Sequence, residues 1–370
     1  MEPIQFANEE PTMSTTNPIG TIGFDFIEFA PGAEGAAGLR ATLTALGFTH
    51  VARHRSRAID LYRQGTINFL LNQEPNSPAS YFAQEHGPSA SAMGFRVRDA
   101  KRAFEELVRR GAEPVDVPCD VGELKLPAIR GIGGALVYLS DARGGGDAFY
   151  DTNFDFLPGA SRSPEGCLLR EIDHVTHNVF KGRMDHWARY YERLFDFAEY
   201  RYYDIKGEYT GLHSRAMSGP EGKLRIPINE ESPKGGGQIQ EFLTLYNGEG
   251  IQHIALATDD IYEAIDRLRH ARIPMMTAPP GAYYTDLETR LPGHGEPVSE
   301  LEKRGILIDG AVQDGARRIL LQIFTETLIG PIFIEIIQRK GNEGFGEGNF
   351  TALFKAMERD QIRRGAIEAA

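Results

Sequence analysis

Residues 322 to 354 read QIFTETLIGPIFIEIIQRKGNEGFGEGNFTALF, and their reading decides the fold. Gln322-Ile323-Phe324 and the run from Ile332 to Ile337 are rich in β-branched and aromatic residues. Both read as strands, punctuated by Gly330-Pro331. One carboxylate, Glu335, interrupts the second run. A buried carboxylate left alone is costly, so Glu335 must be neutralised, paired or bound to a metal. Glycines at 341, 344, 346 and 348 follow, and Asn349 then opens an amphipathic helix with Phe350, Leu353, Phe354 and Met357 on one face. A strand with one inward acid, a glycine hinge and an apolar helix describe the wall of a site and its lid.

The rest of the chain bounds what that site can serve. At 370 residues it is long enough for two domains with full cores. A net charge of −12 argues against nucleic acid or an anionic membrane as partner. No apolar run approaches the roughly 20 residues of a membrane helix. The two cysteines, Cys119 and Cys167, form no disulfide framework and suit a reducing cytoplasm. Residues 1–19, with Glu2, Glu9, Glu10 and three prolines, lack the apolar core of a signal peptide and are expected to be a disordered lead-in.

Two halves repeat one order of elements. In the first, strands are expected at 22–29, in HVARHRS, AIDLYRQG and INFLLNQ, and at 91–97. A helix over 100–110 closes at Gly111, and strands near 126–129 and 135–140 follow. In the second, strands are expected at 171–180, 200–205, 211–217, 224–228 and 250–257, with helices at 185–194 and 261–271 and the opening run last. INFLLNQEP at 67 matches LRIPINEES at 224, and GGALVYL at 133 matches GPIFIEI at 330. Such self-similarity points to an old duplication, each half splitting into two βαβββ-like modules. Between the copies, His174 stands against Phe24, His253 against Ala92 and Glu335 against Tyr138. A lone strand histidine is more often a core residue than a ligand. Three coordinated replacements, all in one copy, instead match the two-histidine, one-carboxylate triad of non-haem Fe(II) oxygenases.

With these residues in view, the chain resembles the 4-hydroxyphenylpyruvate dioxygenases of the vicinal-oxygen-chelate superfamily, from about residue 20 to 365. The likeness rests on DHVTHNV at 173, RIPINE at 225, QIQEFL at 238, GIQHIAL at 250, LLQIF at 320 and FIEIIQRKGNEGFGEGNF at 333. It implies an α+β fold of two tandem vicinal-oxygen-chelate domains. Each consists of paired βαβββ modules forming an open, barrel-like sheet. The metal-free domain would span 20–150 and the catalytic domain 165–348, with a lid helix and tail over 349–370.

The resemblance also implies one Fe(II) per subunit on His174, His253 and Glu335, with O2 as co-substrate. Ser214, Asn229, Gln238 and Gln252 would serve the chemistry. Pro227, Gln322, Phe324 and Phe333 would bind substrate, with Phe345, Asn349, Phe350 and Leu353 from the closing segment. The implied reaction converts 4-hydroxyphenylpyruvate and O2 to homogentisate and CO2 in tyrosine and phenylalanine breakdown, in a cytoplasmic homodimer or homotetramer. Neutral amides such as Asn229, Gln238 and Gln252 can fix a phenol or enol without adding charge beside the metal; each alone could equally be a strand-edge or loop residue. Phe324 favours homogentisate, since relatives making 4-hydroxymandelate carry a smaller aliphatic residue there. An extradiol dioxygenase, a metal-free binding protein and a glyoxalase-type isomerase are the other readings. His177, His186 and His213 are expected to face away from the site, and His294 lies in a glycine- and proline-rich loop.

Overall fold

Two β-sheets with the same strand order carry the chain, and the match between them locates the site. The computed structural model describes residues 16–143, 146–206, 211–232, 237–313 and 315–349. The expected lead-in lies outside these residues up to position 15, and the expected lid helix lies outside them from position 350.

The first half holds β1 (Thr21–Ala30), β2 (Thr49–His54), β3 (Ile59–Gln64), β4 (Ile67–Asn72), β5 (Ser89–Val97), β6 (Pro114–Val115), β7 (Ala128–Arg130), β8 (Leu136–Asp141) and β9 (Phe154–Phe156). Its helices are α1 (Ala37–Ala45), α2 (Pro78–His86), α3 (Ala100–Arg109) and α4 (Ala148–Asn153). The second half holds β10 (Leu169–Val179), β11 (Ala198–Lys206), β12 (Gly211–Ser218), β13 (Arg225–Glu231), β14 (Gly250–Thr258), β15 (Leu307–Gln313), β16 (Ala316–Phe324) and β17 (Phe333–Lys340). Its helices are α5 (Met184–Phe195), α6 (Gln238–Tyr246), α7 (Ile261–His270), α8 (Ala282–Thr285), α9 (Leu287–Arg290) and α10 (Val298–Arg304).

The first sheet runs β6-β7-β8-β5-β1-β4-β3-β2-β9, and the second, read from its far edge, runs β15-β16-β17-β14-β10-β13-β12-β11. Apart from β9 the orders are identical. In both, the first long strand pairs in parallel with the fourth, and the fifth with the eighth, all other pairs being antiparallel. The duplication extends to the caps: Asp99 accepts from the Arg102 N–H at the start of α3, and Asp260 from the Glu263 N–H at the start of α7. This is an α+β fold of two tandem glyoxalase-type units. One apolar cluster runs through both halves and contains Ile27, Phe69, Phe95, Val175, Tyr191, Ile254 and Leu256. Polar contacts stitch the seam: Tyr190 donates to the Arg130 carbonyl at 2.8 Å, and the His86 ring stacks on Tyr246 with centroids 4.7 Å apart.

Several elements escape the sequence reading. Among them α6 matters most, because QIQEFL looked like a strand-edge or loop stretch. Its Ile239, Phe242, Leu243 and Tyr246 are buried at helical spacing, so Gln238 opens a helix. The extra strand β15 and the short α8–α10 lie in a polar, glycine- and proline-rich stretch with little periodic signal.

The register corrects one equivalence. His174 pairs with Ala255 and Thr176 with His253; in the first sheet Phe26 pairs with Gly94 and Glu28 with Ala92. Phe26, not Phe24, therefore occupies the place of His174. The bulge at Asp25 turns Phe24 and Phe26 to opposite faces of the sheet, opposite Phe95 and Gly94, and the aspartate shared by Asp25-Phe26 and Asp173-His174 marks the true frame. Ala92 for His253 and Tyr138 for Glu335 agree with the register.

Candidate functional site

Two β-bulges shape the site. The pairing of β10 with β14 slips between Ile172 and His174, leaving Asp173 as the extra residue. It slips again between Thr176 and His177, leaving Gln252 extra on β14. A bulge bends its strand and re-aims neighbouring side chains. Each bulged residue then hydrogen-bonds the histidine that follows it. The Asp173 carboxylate lies 2.8 Å from His174 Nδ1, and Gln252 Oε1 lies 2.9 Å from His253 Nδ1. Acceptors at both Nδ1 atoms place the protons there and turn the Nε2 lone pairs toward the site, where the Thr176 hydroxyl lies 2.9 Å from His253 Nε2.

Those lone pairs meet Glu335. His174 Nε2 lies 3.3 Å and His253 Nε2 3.5 Å from Glu335 Oε2, and one ligand atom from each residue falls within 4.8 Å of the others. Burial pushes the Glu335 carboxyl up, but protons on the facing Nε2 atoms, occupying the place a metal would take, outweigh it and hold it down at about 2. Burial also pulls His174 and His253 down; Glu335 and Asp173 reverse the sign for His174, whereas His253 stays low. Two imidazole lone pairs and a carboxylate converging in a buried space fit a divalent metal, and the nitrogen and oxygen donors suit a first-row ion.

A further layer fixes this set. Arg339 grips Asp173 with two bonds of 2.7 Å, and Arg225 adds a contact at 3.3 Å, so the Asp173 charge is compensated away from the metal position. On the other side Gln322 donates to Glu335 Oε1 at 2.9 Å, Asn349 donates to Gln322 at 2.9 Å, and Tyr283 donates to Asn349 at 2.7 Å. Phe333 stacks on the His253 ring at 4.7 Å, and Phe345 meets His174 edge-on at 5.3 Å.

A cavity of about 70 Å³ opens beside the triad, and most of the expected pocket residues line it. The structure brings together Ser214, Pro227, Asn229, Gln238 and Gln252 on one side. Gln322, Phe324 and Phe333 stand on the other, and Phe345 packs with Tyr203 and Ala216. Asn349 sits one hydrogen bond behind Gln322 and is not among the lining residues; Phe350 and Leu353 lie outside the described residues. Thr176 and Tyr203 also line the cavity, and together with Asp173, Arg339 and Tyr283 they escaped the sequence reading. A usable signal was present: an acid or amide immediately precedes each histidine, in Asp173-His174 and Gln252-His253. The remaining histidines lie elsewhere. His177 bonds Tyr191 at 2.7 Å on the opposite face, His186 is exposed, His213 pairs with Asp204, and His294 is buried beside Glu288.

Fold and site together define a metal-dependent enzyme of the vicinal-oxygen-chelate class. Residues 15–155 match the family described as hydroxyphenylpyruvate dioxygenase, N-terminal, and residues 171–308 match the glyoxalase/bleomycin resistance protein/dioxygenase superfamily. The chain is 56% identical over 351 residues to 4-hydroxyphenylpyruvate dioxygenase from Pseudomonas sp. (strain P.J. 874), covering 95% of this chain and 98% of that protein. It is 52% identical over 352 residues to the same enzyme from Pseudomonas aeruginosa, covering 95% and 97%. The solved structure of a triple mutant of 4-hydroxymandelate synthase from Streptomyces coelicolor superposes with a TM-score of 0.78 at 25% identity, covering 94% of this chain and 100% of that one. The chain belongs to the 4-hydroxyphenylpyruvate dioxygenase family.

The buried Asp173 makes its role testable. Asp173→Asn removes the charge that opposes Arg339 and weakens the acceptor at His174 Nδ1, so metal affinity is expected to fall about 10- to 100-fold. Anaerobic titration with a divalent ion measures it, and unchanged affinity would exclude a positioning role for Asp173.

Proposed function

We propose that this chain is an Fe(II)-dependent dioxygenase that converts 4-hydroxyphenylpyruvate and O2 to homogentisate and CO2. The observation that carries the reading is the convergence of His174, His253 and Glu335 on one buried point beside a cavity walled by neutral amides and aromatic rings. Fe(II) held by these three residues would supply the redox chemistry and a Lewis-acidic anchor for a 2-oxo acid. A divalent ion with one carboxylate ligand keeps a single positive charge, which matches the one carboxylate of such a substrate.

The chain's own residues select and hold the rest of the molecule. Phe324 and Phe333 meet edge to face at 6.1 Å and form an apolar wall for an aromatic ring, while Phe345 packs with Tyr203 and Ala216 at another part of the lining. Gln238 Oε1 is buried without a hydrogen-bond partner among the described residues, and Ser214 and Asn229 lie side by side across β12 and β13. These groups suit a phenol hydroxyl at the end of the cavity remote from Glu335, with Gln238 accepting its proton in a hydrogen bond. Gln252 Oε1 is engaged by His253, so this residue acts first as a positioning group. The buried surroundings exclude water that would compete at the metal.

The proposal extends to a cytoplasmic homodimer or homotetramer acting in tyrosine breakdown. Two unbridged cysteines agree with a reducing compartment. Among the described residues no helix is long and apolar enough to cross a membrane.

A sister activity, 4-hydroxymandelate synthesis, shares this architecture. Phe324 decides against it: its ring is buried, pairs across the sheet with Glu335 and narrows the space in which a side chain could be hydroxylated instead of the ring.

Anaerobic loading with Fe(II), followed by 4-hydroxyphenylpyruvate and O2, is expected to give homogentisate with one CO2 per O2 on chromatographic and gas analysis. Hydroxymandelate, or no O2 uptake, would contradict the proposal. Phe324→Ile is expected to shift product toward 4-hydroxymandelate, and an unchanged product ratio would remove Phe324 from product control.

A further inference from the structure

The register that aligns the two sheets also aligns two cavities. Phe26, Glu28, Leu70, Asn72 and Tyr138 hold, in the first half, the places of His174, Thr176, Pro227, Asn229 and Glu335. All five line a cavity of about 350 Å³, against about 70 Å³ beside the triad. No metal set survives there, since a phenyl ring, a methyl group and a phenol stand where the two imidazoles and the carboxylate would be. The space has nonetheless been kept open, and its walls are chemically specific.

Three aromatic rings form one side. Phe26 lies 5.7 Å from Tyr138 and 6.3 Å from Phe149, the second pair stacked at 19°. Glu28 is buried between them and the polar strand edge, only 5% exposed. Asn72 donates to its Oε2 at 3.1 Å and Ser91 to its Oε1 at 3.0 Å. Burial pushes the Glu28 carboxyl up, the two hydrogen bonds offsetting this only in part, and among the described residues no lysine, arginine or histidine forms an ion pair with it. Around the rim Glu74, Asp120 and Glu123 outnumber Arg57 and Lys125. Arg57 faces Glu123, and Lys125 is turned to Asp116. His54 is kept neutral by burial.

We propose that this cavity is a second ligand site, taking a small aromatic molecule that carries a primary ammonium group. The ring lies against Phe26, Tyr138 and Phe149, and the ammonium supplies the missing counter-charge to Glu28, in the manner of an aromatic cage closed by a carboxylate. A 2-oxo acid, carrying a negative charge, is repelled by the same walls. The two cavities therefore discriminate by charge between related aromatic molecules.

The test uses the full chain and a local reporter. Cys119 lines the cavity and is partly exposed, whereas Cys167 is buried, so iodoacetamide labels Cys119 first. Tyramine is expected to slow that labelling several-fold in a saturable way, and 4-hydroxyphenylacetate at the same concentration to leave it unchanged. Glu28→Gln should raise the tyramine concentration needed at least tenfold. Phe149→Leu, at a half-buried wall position, should weaken protection independently of the carboxylate, and circular dichroism confirms that both variants fold. Absence of protection by tyramine, equal protection by 4-hydroxyphenylacetate, or full protection in either folded variant would overturn the proposal. Thiol labelling in the first half does not depend on turnover, so a failure here is distinct from a failure of the dioxygenase reading.

Discussion

A carboxylate buried at the centre of a β-sheet has to be compensated, and the arrangement around Glu335 follows from that constraint. Removing an ion from water costs several kcal/mol even after relaxation, and no arginine or lysine among the described residues pairs with Glu335. What faces it are two imidazole nitrogens. Their own protons are committed on the far side, to Asp173 and Gln252. The set is therefore short of positive charge by design, and a divalent cation completes it. Arg339 and Arg225 are spent on Asp173, which keeps permanent cations off the point where the ligand atoms converge.

The two bulges that present Asp173 and Gln252 recur in the first half as Asp25 and Ser91. The backbone geometry is thus common to both copies, and a few side-chain exchanges separate a sheet that can hold an ion from one that cannot. In the first copy Asp25 turns to Arg96 at 2.5 Å, and Ser91 turns to Glu28. The shared frame explains why the two halves can differ so much in chemistry while keeping one strand order and a common core.

Much of this was legible from residues alone, for physical reasons. The long strands advertise themselves through β-branched runs, α3 and α7 through aspartate caps and helical spacing, and Glu335 through its cost inside an apolar run. The site histidines stood out because their counterparts were not histidine. What escaped was local geometry. A bulge leaves no compositional trace, so Asp173 was passed over and Gln252 was read as a group serving the chemistry, not as the partner of His253. The unread bulge at Asp25 also hid the difference between Phe24 and Phe26. Helix α6 begins with glutamines that carry no capping signal, and its apolar face becomes evident only from burial. The expected lid falls on residues outside the described set.

The account stands or falls on Glu335. Anaerobic Fe(II) titration of the wild-type chain and of Glu335→Gln, with bound metal counted per chain, tests it most directly. The prediction is one equivalent in the wild type and none retained at micromolar concentration in the variant, with both proteins folded. One equivalent bound equally tightly by Glu335→Gln would show that the buried carboxylate does not hold the metal, and would contradict the reading of the site built around it.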